Sequence, residues 1–285
     1  MSLSPSIYQL LLSTLNMTII EQSIIGKADA GRCEDGLVVC DAFMAVVDGS
    51  TSKSSLQFHP AMSNGQYCMT IVADYIRSMA SDGCCHDFCD GVTSIIRAVY
   101  DASGADMKLL RRNPKERMAA SAAIYSRSRQ EIWLVGDCQC MVDGQFFDNP
   151  KPYEHLMAEM RGAYIRMLLQ KGRPMSDFQS HDDGRDFILP VFDSTCRHQN
   201  MTFSVIDGFP IALDKVRVIN VSGAKEIVLA TDGYPFLYPT LSKSEQALTR
   251  QLSEDPLCIG HFKATKGLMR GNQSFDDRTY IRFRL

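Results

Sequence analysis

The acids of this sequence fall into a pattern that could do chemistry. Asp48 ends an apolar run, Phe43-Met44-Ala45-Val46-Val47, and is followed by Gly49, Ser50 and Thr51. Apolar run followed by acid and glycine recurs where Ile132-Trp133-Leu134-Val135 meets Gly136-Asp137, and where Ile227-Val228-Leu229-Ala230 meets Thr231-Asp232-Gly233. Glu34-Asp35 precedes the run Leu37-Val38-Val39, and Asp276-Asp277 precedes a final alternating segment. Acids at strand ends can be gathered by a folded sheet. Clustered carboxylates raise one another's pKa, and a bound cation removes that penalty. Aspartates and backbone oxygens without paired His or Cys suit Mg²⁺ or Mn²⁺ better than zinc. Two such ions roughly 3.5–4 Å apart can share a water, lower its pKa and orient it for in-line attack on phosphorus.

The elements that would position these acids are legible from periodicity. Met17 to Ile25, Leu37 to Val39, Phe43 to Val47, Met118 to Tyr125, Glu131 to Val135, Cys138 to Val142, Thr202 to Ile206, Val216 to Val221, Glu226 to Ala230 and Arg278 to Leu285 read as strands. Gly26 to Asp35 reads as a polar loop, and Asp143-Gly144 as a hairpin turn. Gln66 to Ala80 places Met69, Val72, Ala73, Ile76 and Met79 on one helical face, with Asn64 as its cap. Phe88 to Tyr100, Ala105 to Arg112, Pro152 to Gln170 and Lys243 to Ser253 complete the helices. Ser176 to Asn200 is polar and irregular, and reads as a surface insertion or lid, where Arg173, His181, Arg185, Arg197 and His198 could meet an anionic substrate. Strand runs broken by helix pairs, without regular βαβ alternation, predict an α+β fold of antiparallel sheets covered by helices.

Composition narrows the function. The chain has 285 residues, 45% of them hydrophobic, enough for a large core. A net charge of −3 with no basic stripe argues against nucleic acid. Ten cysteines lie mostly in apolar contexts, as buried thiols of a cytosolic protein would. The Cys84-Cys85-His86…Cys89 cluster lacks a second ligand pair at zinc-finger spacing. The apolar run Ile7 to Leu15 lacks the charged start and cleavage site of a signal peptide, and no stretch is long enough to span a membrane. A soluble, cytoplasmic protein with no membrane partner is expected.

Taken together, Glu34-Asp35, Val46-Val47-Asp48-Gly49, Val135-Gly136-Asp137, Leu229-Ala230-Thr231-Asp232-Gly233 and Asp276-Asp277-Arg278-Thr279 resemble, in order and spacing, the PPM-type (type 2C-like) metal-dependent protein phosphatases. The likeness runs from about residue 17 to the C-terminus. It implies one phosphatase-like domain over 1–285, with an irregular insertion at about 173–201, and a fold of two packed antiparallel sheets flanked by helices. It further implies that Asp48 bridges two ions, that the Gly49 carbonyl joins the second, that Asp232 and Asp276 complete the metal site, and that Glu34 and Asp35 hold metal-bound water. Arg32 and Lys27 compete for the phosphate-binding role.

Departures from the family pattern are specific. Ser50-Thr51 replaces the usual His or Met and glycines, so a histidine proton donor is missing there. Gly136-Asp137-Cys138-Gln139 loses the family's basic residue, and Asp137 reads as structural. Asp277 stands where many members carry Asn. No Cys-x5-Arg loop is present, which excludes a cysteine-based phosphatase. The leading expectation is a phosphoserine/phosphothreonine phosphatase acting on a phosphoprotein. The alternatives are a phosphatase of small phosphorylated metabolites with residues 176–200 as its lid, and a pseudophosphatase that binds a phosphoprotein without cleaving it.

Overall fold

A computed structural model describes residues 17–28, 30–52 and 54–285. The apolar run at residues 7–15 lies outside them.

Strands β1 (Thr18–Ile25), β2 (Asp35–Val39), β3 (Phe43–Gly49), β4 (Ala120–Ser126), β5 (Glu131–Val135), β6 (Gln139–Val142), β7 (Gln145–Phe147), β8 (Arg217–Asn220), β9 (Glu226–Ala230) and β10 (Arg278–Arg284) form two antiparallel sheets. One runs β1-β10-β9-β6-β7 and the other β2-β3-β4-β5-β8. Helices α1 (Asn64–Ser78), α2 (Cys85–Ala102), α3 (Met107–Arg112), α4 (Glu154–Gln170), α5 (Met175–Ser180), α6 (Asp183–Cys196) and α7 (Leu241–Glu254) surround them. This is the α+β architecture of antiparallel sheets expected from the strand and helix patterns, with the two sheets that the family resemblance implied.

Alternation along each strand explains the layers, because successive side chains leave opposite faces. Met44 and Val46 of β3 join Ala123, Tyr125, Leu134, Leu229, Ile281 and Phe283 between the sheets. Phe43, Ala45 and Val47 point the other way, against Cys68, Val72 and Ile76 of α1 and Phe88, Val92 and Ile96 of α2. On the outer face of the first sheet, Val228, Ala230 and Tyr280 pack with Tyr234 and Leu237, next to Leu241 of α7.

Several boundaries differ from the sequence reading. Asp35, Asp48 and Gly49 lie within β2 and β3 rather than beyond their ends. Ser63, not Asn64, caps α1, through a reciprocal capping box with Gln66. Asn64 instead clamps the preceding loop, accepting from Phe58 N at 3.1 Å and donating to the Leu56 carbonyl at 2.8 Å. Residues 202–206 form only two isolated bridges, Phe203 with Gln199 and Ile206 with Ala120. Asn200 takes up backbone groups there, accepting from Val205 N at 3.0 Å and donating to its carbonyl at 3.0 Å.

The largest correction concerns residues 173–201, most of which form the two helices α5 and α6. Asp182 caps α6 by accepting from Arg185 N at 2.9 Å. A Cβ on Gly184 would fall 2.6 Å from Ile165 Cδ1, so glycine is what lets α6 lie this close to α4. Pro190 within α6, and the dense polar residues at its start, hid the helical period. Wholly buried Arg161 of α4 grips Asp182, with Nη2 to Oδ2 at 2.7 Å, and donates to the carbonyls of Leu257 at 2.9 Å and Ala264 at 3.1 Å.

Candidate metal centre

The alternation that builds the inter-sheet core also aims the acids. Asp48 follows Met44 and Val46 on the same face of β3, and Asp35 shares the face of Leu37 on β2. The two are directly opposed in the β2–β3 register. From the other sheet, Thr231 follows Leu229, and its hydroxyl donates to Asp35 Oδ2 at 2.7 Å. That bond joins the sheets at their mouth. Asp35 is only 4% exposed, and its Oδ1 has no hydrogen-bond partner among the described residues.

Backbone closeness shapes the mouth. A Cβ on Gly49 would sit 2.3 Å from the Gly65 carbonyl oxygen and 2.6 Å from that of Glu34. A Cβ on Gly233 would sit 1.9 Å from the Asp277 carbonyl oxygen. The glycines after Asp48 and Asp232 let the two sheet ends and α1 converge.

Asp48, Gly49, Asp232 and Asp276 line one cavity of about 140 Å³, with Glu154, Lys151 and Lys266. One carboxylate oxygen from each of Asp137, Glu154 and Asp232 lies within 4.8 Å of the other two. Asp137, read from sequence as structural, therefore belongs to the acidic group. Glu154 was missed altogether. It opens α4, and its only sequence signal is its place as the first residue of a helix after Lys151-Pro152-Tyr153.

Three ammonium groups enter this cluster. Lys151 Nζ donates to Asp137 Oδ2, whose partner oxygen accepts from Ser121 Oγ at 2.5 Å. Lys266 Nζ pairs with Asp276 Oδ2. Lys27 Nζ lies 3.3 Å from Asp277, 3.5 Å from Asp276 and 3.6 Å from Glu34. Among the described residues no ammonium or guanidinium forms a direct ion pair with Asp35, Asp48 or Asp232.

The charge states follow. Removal from water pushes the Asp35 carboxyl up to about 8; the Thr231 bond works against this, and Asp276 and Asp232 add to it. Burial, then Asp35 and Asp276, raise Asp48 well above the usual carboxylate range. Asp232 rises through burial, then Asp48 and Asp137. Asp137 behaves oppositely: burial raises it, but Lys151 and Ser121 outweigh that and bring it below the ordinary value. Burial alone would lower Lys266, yet Asp276 and Asp232 hold it above the usual lysine value.

The other expected groups have different duties. Asp277 accepts from Lys27 N at 2.6 Å and Glu34 N at 3.1 Å, pinning the loop before β2 to the start of β10. Glu34 accepts from Ser63 Oγ at 2.6 Å and Thr51 Oγ1 at 2.5 Å, so Thr51 orients Glu34. Arg32 is exposed and lies outside the cavity, on a neighbouring depression with Gly31, Glu34, Ala61, Ser63 and Gln66. Gln139 ties β6 to the Thr231 and Tyr234 carbonyls at 2.9 and 2.8 Å. Of the basic residues in 173–198 singled out above, Arg185 lines the cavity and donates to the Thr265 carbonyl at 3.0 Å. Arg173 pairs with Asp183, and His181 with Asp186.

Oxygen donors dominate, and the orphaned Asp35 oxygen stands opposite Asp48, which like Asp232 has no ammonium partner among the described residues. This donor set fits a hard divalent cation. No family model matches the chain, and no curated protein matches it. Solved structures similar to it include the serine/threonine phosphatase PstP/Ppp of Mycobacterium tuberculosis, 14% identical over 95% of this chain and 99% of that one, with a TM-score of 0.48. Stp1 of Staphylococcus aureus is 13% identical over 94% and 96%, with a TM-score of 0.45. The catalytic domain of PstP in complex with 2 manganese ions is 12% identical over 95% and 100%, with a TM-score of 0.43. These neighbours are serine/threonine phosphatases.

Proposed function

We propose that the chain is a metal-dependent phosphomonoester hydrolase acting on phosphoserine or phosphothreonine. The observation that carries this reading is the concentration of Asp35, Asp48 and Asp232 at the mouth between the sheets, with raised pKa values and, among the described residues, no direct cationic partner. Asp48, the Gly49 carbonyl, Asp232 and Asp276 would hold Mg²⁺ or Mn²⁺. When bound, such ions supply Lewis-acid activation of water and neutralise developing phosphoryl charge.

The chain's own residues do the rest. Glu34, held by Ser63 and Thr51 on the neighbouring depression, and Asp35, held by Thr231 opposite Asp48, are acceptors fixed beside the cavity. Arg185 on the cavity wall is the group we assign to a substrate phosphate in place of Arg32. Met157, Phe192, Phe203 and Val205 give the cavity an apolar side. That side suits a peptide carrying the phosphorylated residue better than a polyhydroxylated metabolite, whose hydroxyls would lose water without gaining partners. No helix among the described residues is long and apolar enough to cross a membrane. All ten cysteines are free, seven of them buried, which suits a reducing, cytoplasmic setting.

The test is Mn²⁺-dependent hydrolysis of p-nitrophenyl phosphate and of phosphoserine peptides by wild type and Asp48→Asn. Turnover by wild type, lost in the variant, is expected. An inactive wild type that binds phosphopeptide tightly would replace the enzyme reading with a phosphoprotein-binding one. Turnover of phosphorylated sugars over peptides would move the substrate class.

A further inference from the structure

We infer that Lys151 and Lys266 are resident counter-ions of the acidic cavity, so that it takes one divalent ion readily and a second only by displacing an ammonium group. The inference rests on the metal-dependent reading above and concerns how many ions the site holds.

The two lysines stand on acids that could otherwise hold metal, Asp276 having Lys27 Nζ at 3.5 Å as a second, longer ammonium neighbour. Lys151 contacts Asp137, a member of the Asp137–Glu154–Asp232 group. Lys266 contacts Asp276, one of the carboxylates expected to complete the metal site. Among the described residues Asp35, Asp48 and Asp232 are left without a direct cationic partner, and the readily held ion is assigned to them.

Both lysines are delivered by built structure. The Lys151 carbonyl accepts from Glu154 N at 3.1 Å, which fixes it at the entry to α4. Lys266 belongs to a loop closed by Leu268 N donating to the Pro256 carbonyl at 2.8 Å and Ala264 N to the Cys258 carbonyl at 3.1 Å. The carbonyl just before it accepts from Arg185 at 3.0 Å. Just after it, a Cβ on Gly267 would lie 2.8 Å from Arg161 Nη2 and 2.9 Å from the Leu257 carbonyl oxygen. A lysine serving only as a solvated surface charge needs no such clamp. Here wholly buried Arg161, gripping Asp182 ahead of α6 and the carbonyls of the Lys266 loop, links residues 175–196 to the charge inside the cavity.

An ammonium already seated on a carboxylate repels an incoming dication and must be moved aside. The second ion is therefore expected to bind more weakly than the first by on the order of a hundredfold. Manganese bound per chain can be counted by equilibrium dialysis with electron paramagnetic resonance of the free ion. Wild type should hold a single tight ion. Lys266→Met should take up a second at the same free Mn²⁺, whereas Lys266→Arg, which keeps the charge, should behave as wild type. Thermal melting gives a separate readout: metal-free Lys266→Met should melt below wild type and gain more from Mn²⁺. If Lys266→Met does not fold, Lys151→Met carries the same comparison. Two equally tight ions in wild type, or unchanged stoichiometry in the methionine variants, would overturn the inference. Failure of every folded variant to bind Mn²⁺ would instead sink the metal-dependent reading itself.

Discussion

Asp35 and Asp48 face each other across the β2–β3 pair, two carboxyls in register on the face that meets the other sheet. Like charges directly opposed on neighbouring strands destabilise a sheet. Here Thr231 satisfies one oxygen of Asp35 and leaves the other without a partner. Such an arrangement keeps a site ready for positive charge at the expense of the metal-free fold.

Removing one of the facing carboxylates should therefore stabilise the metal-free protein. Asp48→Asn is expected to raise its melting temperature in EDTA, by an amount equivalent to roughly 1 kcal/mol. The same substitution should abolish the stabilisation that Mn²⁺ gives wild type. A lower melting temperature in EDTA would show that Asp48 is held by favourable contacts instead.

The pH dependence has a definite sign. An aspartate in the unfolded chain titrates near about 4, while Asp35 in the folded protein is pushed up to about 8. Between these values the folded state binds more protons than the unfolded one, so stability falls as pH rises. Asp48 and Asp232, raised in the same direction, deepen the fall. Melting curves of the EDTA-treated protein should move to lower temperature from pH 5 to pH 8, and Mn²⁺ or Mg²⁺ should flatten the trend. A metal-free melting temperature that rises across this window would contradict the buried-acid account.

Substrate phosphate should be felt by Arg185 and not by Arg32. Arg185→Ala is expected to raise KM about tenfold, the scale of one lost charge-assisted hydrogen bond, with a smaller change in kcat. Arg32→Ala should leave both near wild type, because Arg32 lies outside the cavity. Steady-state kinetics with a phosphoserine peptide separates the two, and the reverse order would restore Arg32 to the role its place near Glu34 suggested.

Arg161 should be among the most sensitive structural positions. Arg161→Met leaves Asp182 without its cation and several carbonyls without their donor, a loss of about 3–5 kcal/mol. Chemical denaturation measures the loss, and limited proteolysis should find new cleavage between residues 172 and 200. Stability within error of wild type would show that α5 and α6 are held by apolar contacts alone.

What could be read from the residues was local or periodic. Apolar runs of Val, Ile and Leu identified β3, β5 and β9, and the acid-glycine steps after them marked the mouth of the sheets. Amphipathic spacing located α1, α2, α4 and α7 to within a few residues. Only the folded strands show that period-two alternation, carried one step past Val46 and Leu229, aims Asp48 and Thr231 into the same space. Where polar content and Pro190 masked the period, α6 was lost.

Long-range pairing was decided only by the folded chain. Lys266 reaches Asp276 and Lys151 reaches Asp137 because the loop before α4 and the loop after α7 close over one cavity. Glu154 joins Asp232 for the same reason, and Arg32 is excluded because the short helical turn at residues 30–32 puts it on the outside. A sequence orders its charges along a line, and their energies depend on separations in three dimensions. The kinds of chemistry were therefore written in the residues, while the neutralisation of each acid was settled by tertiary packing.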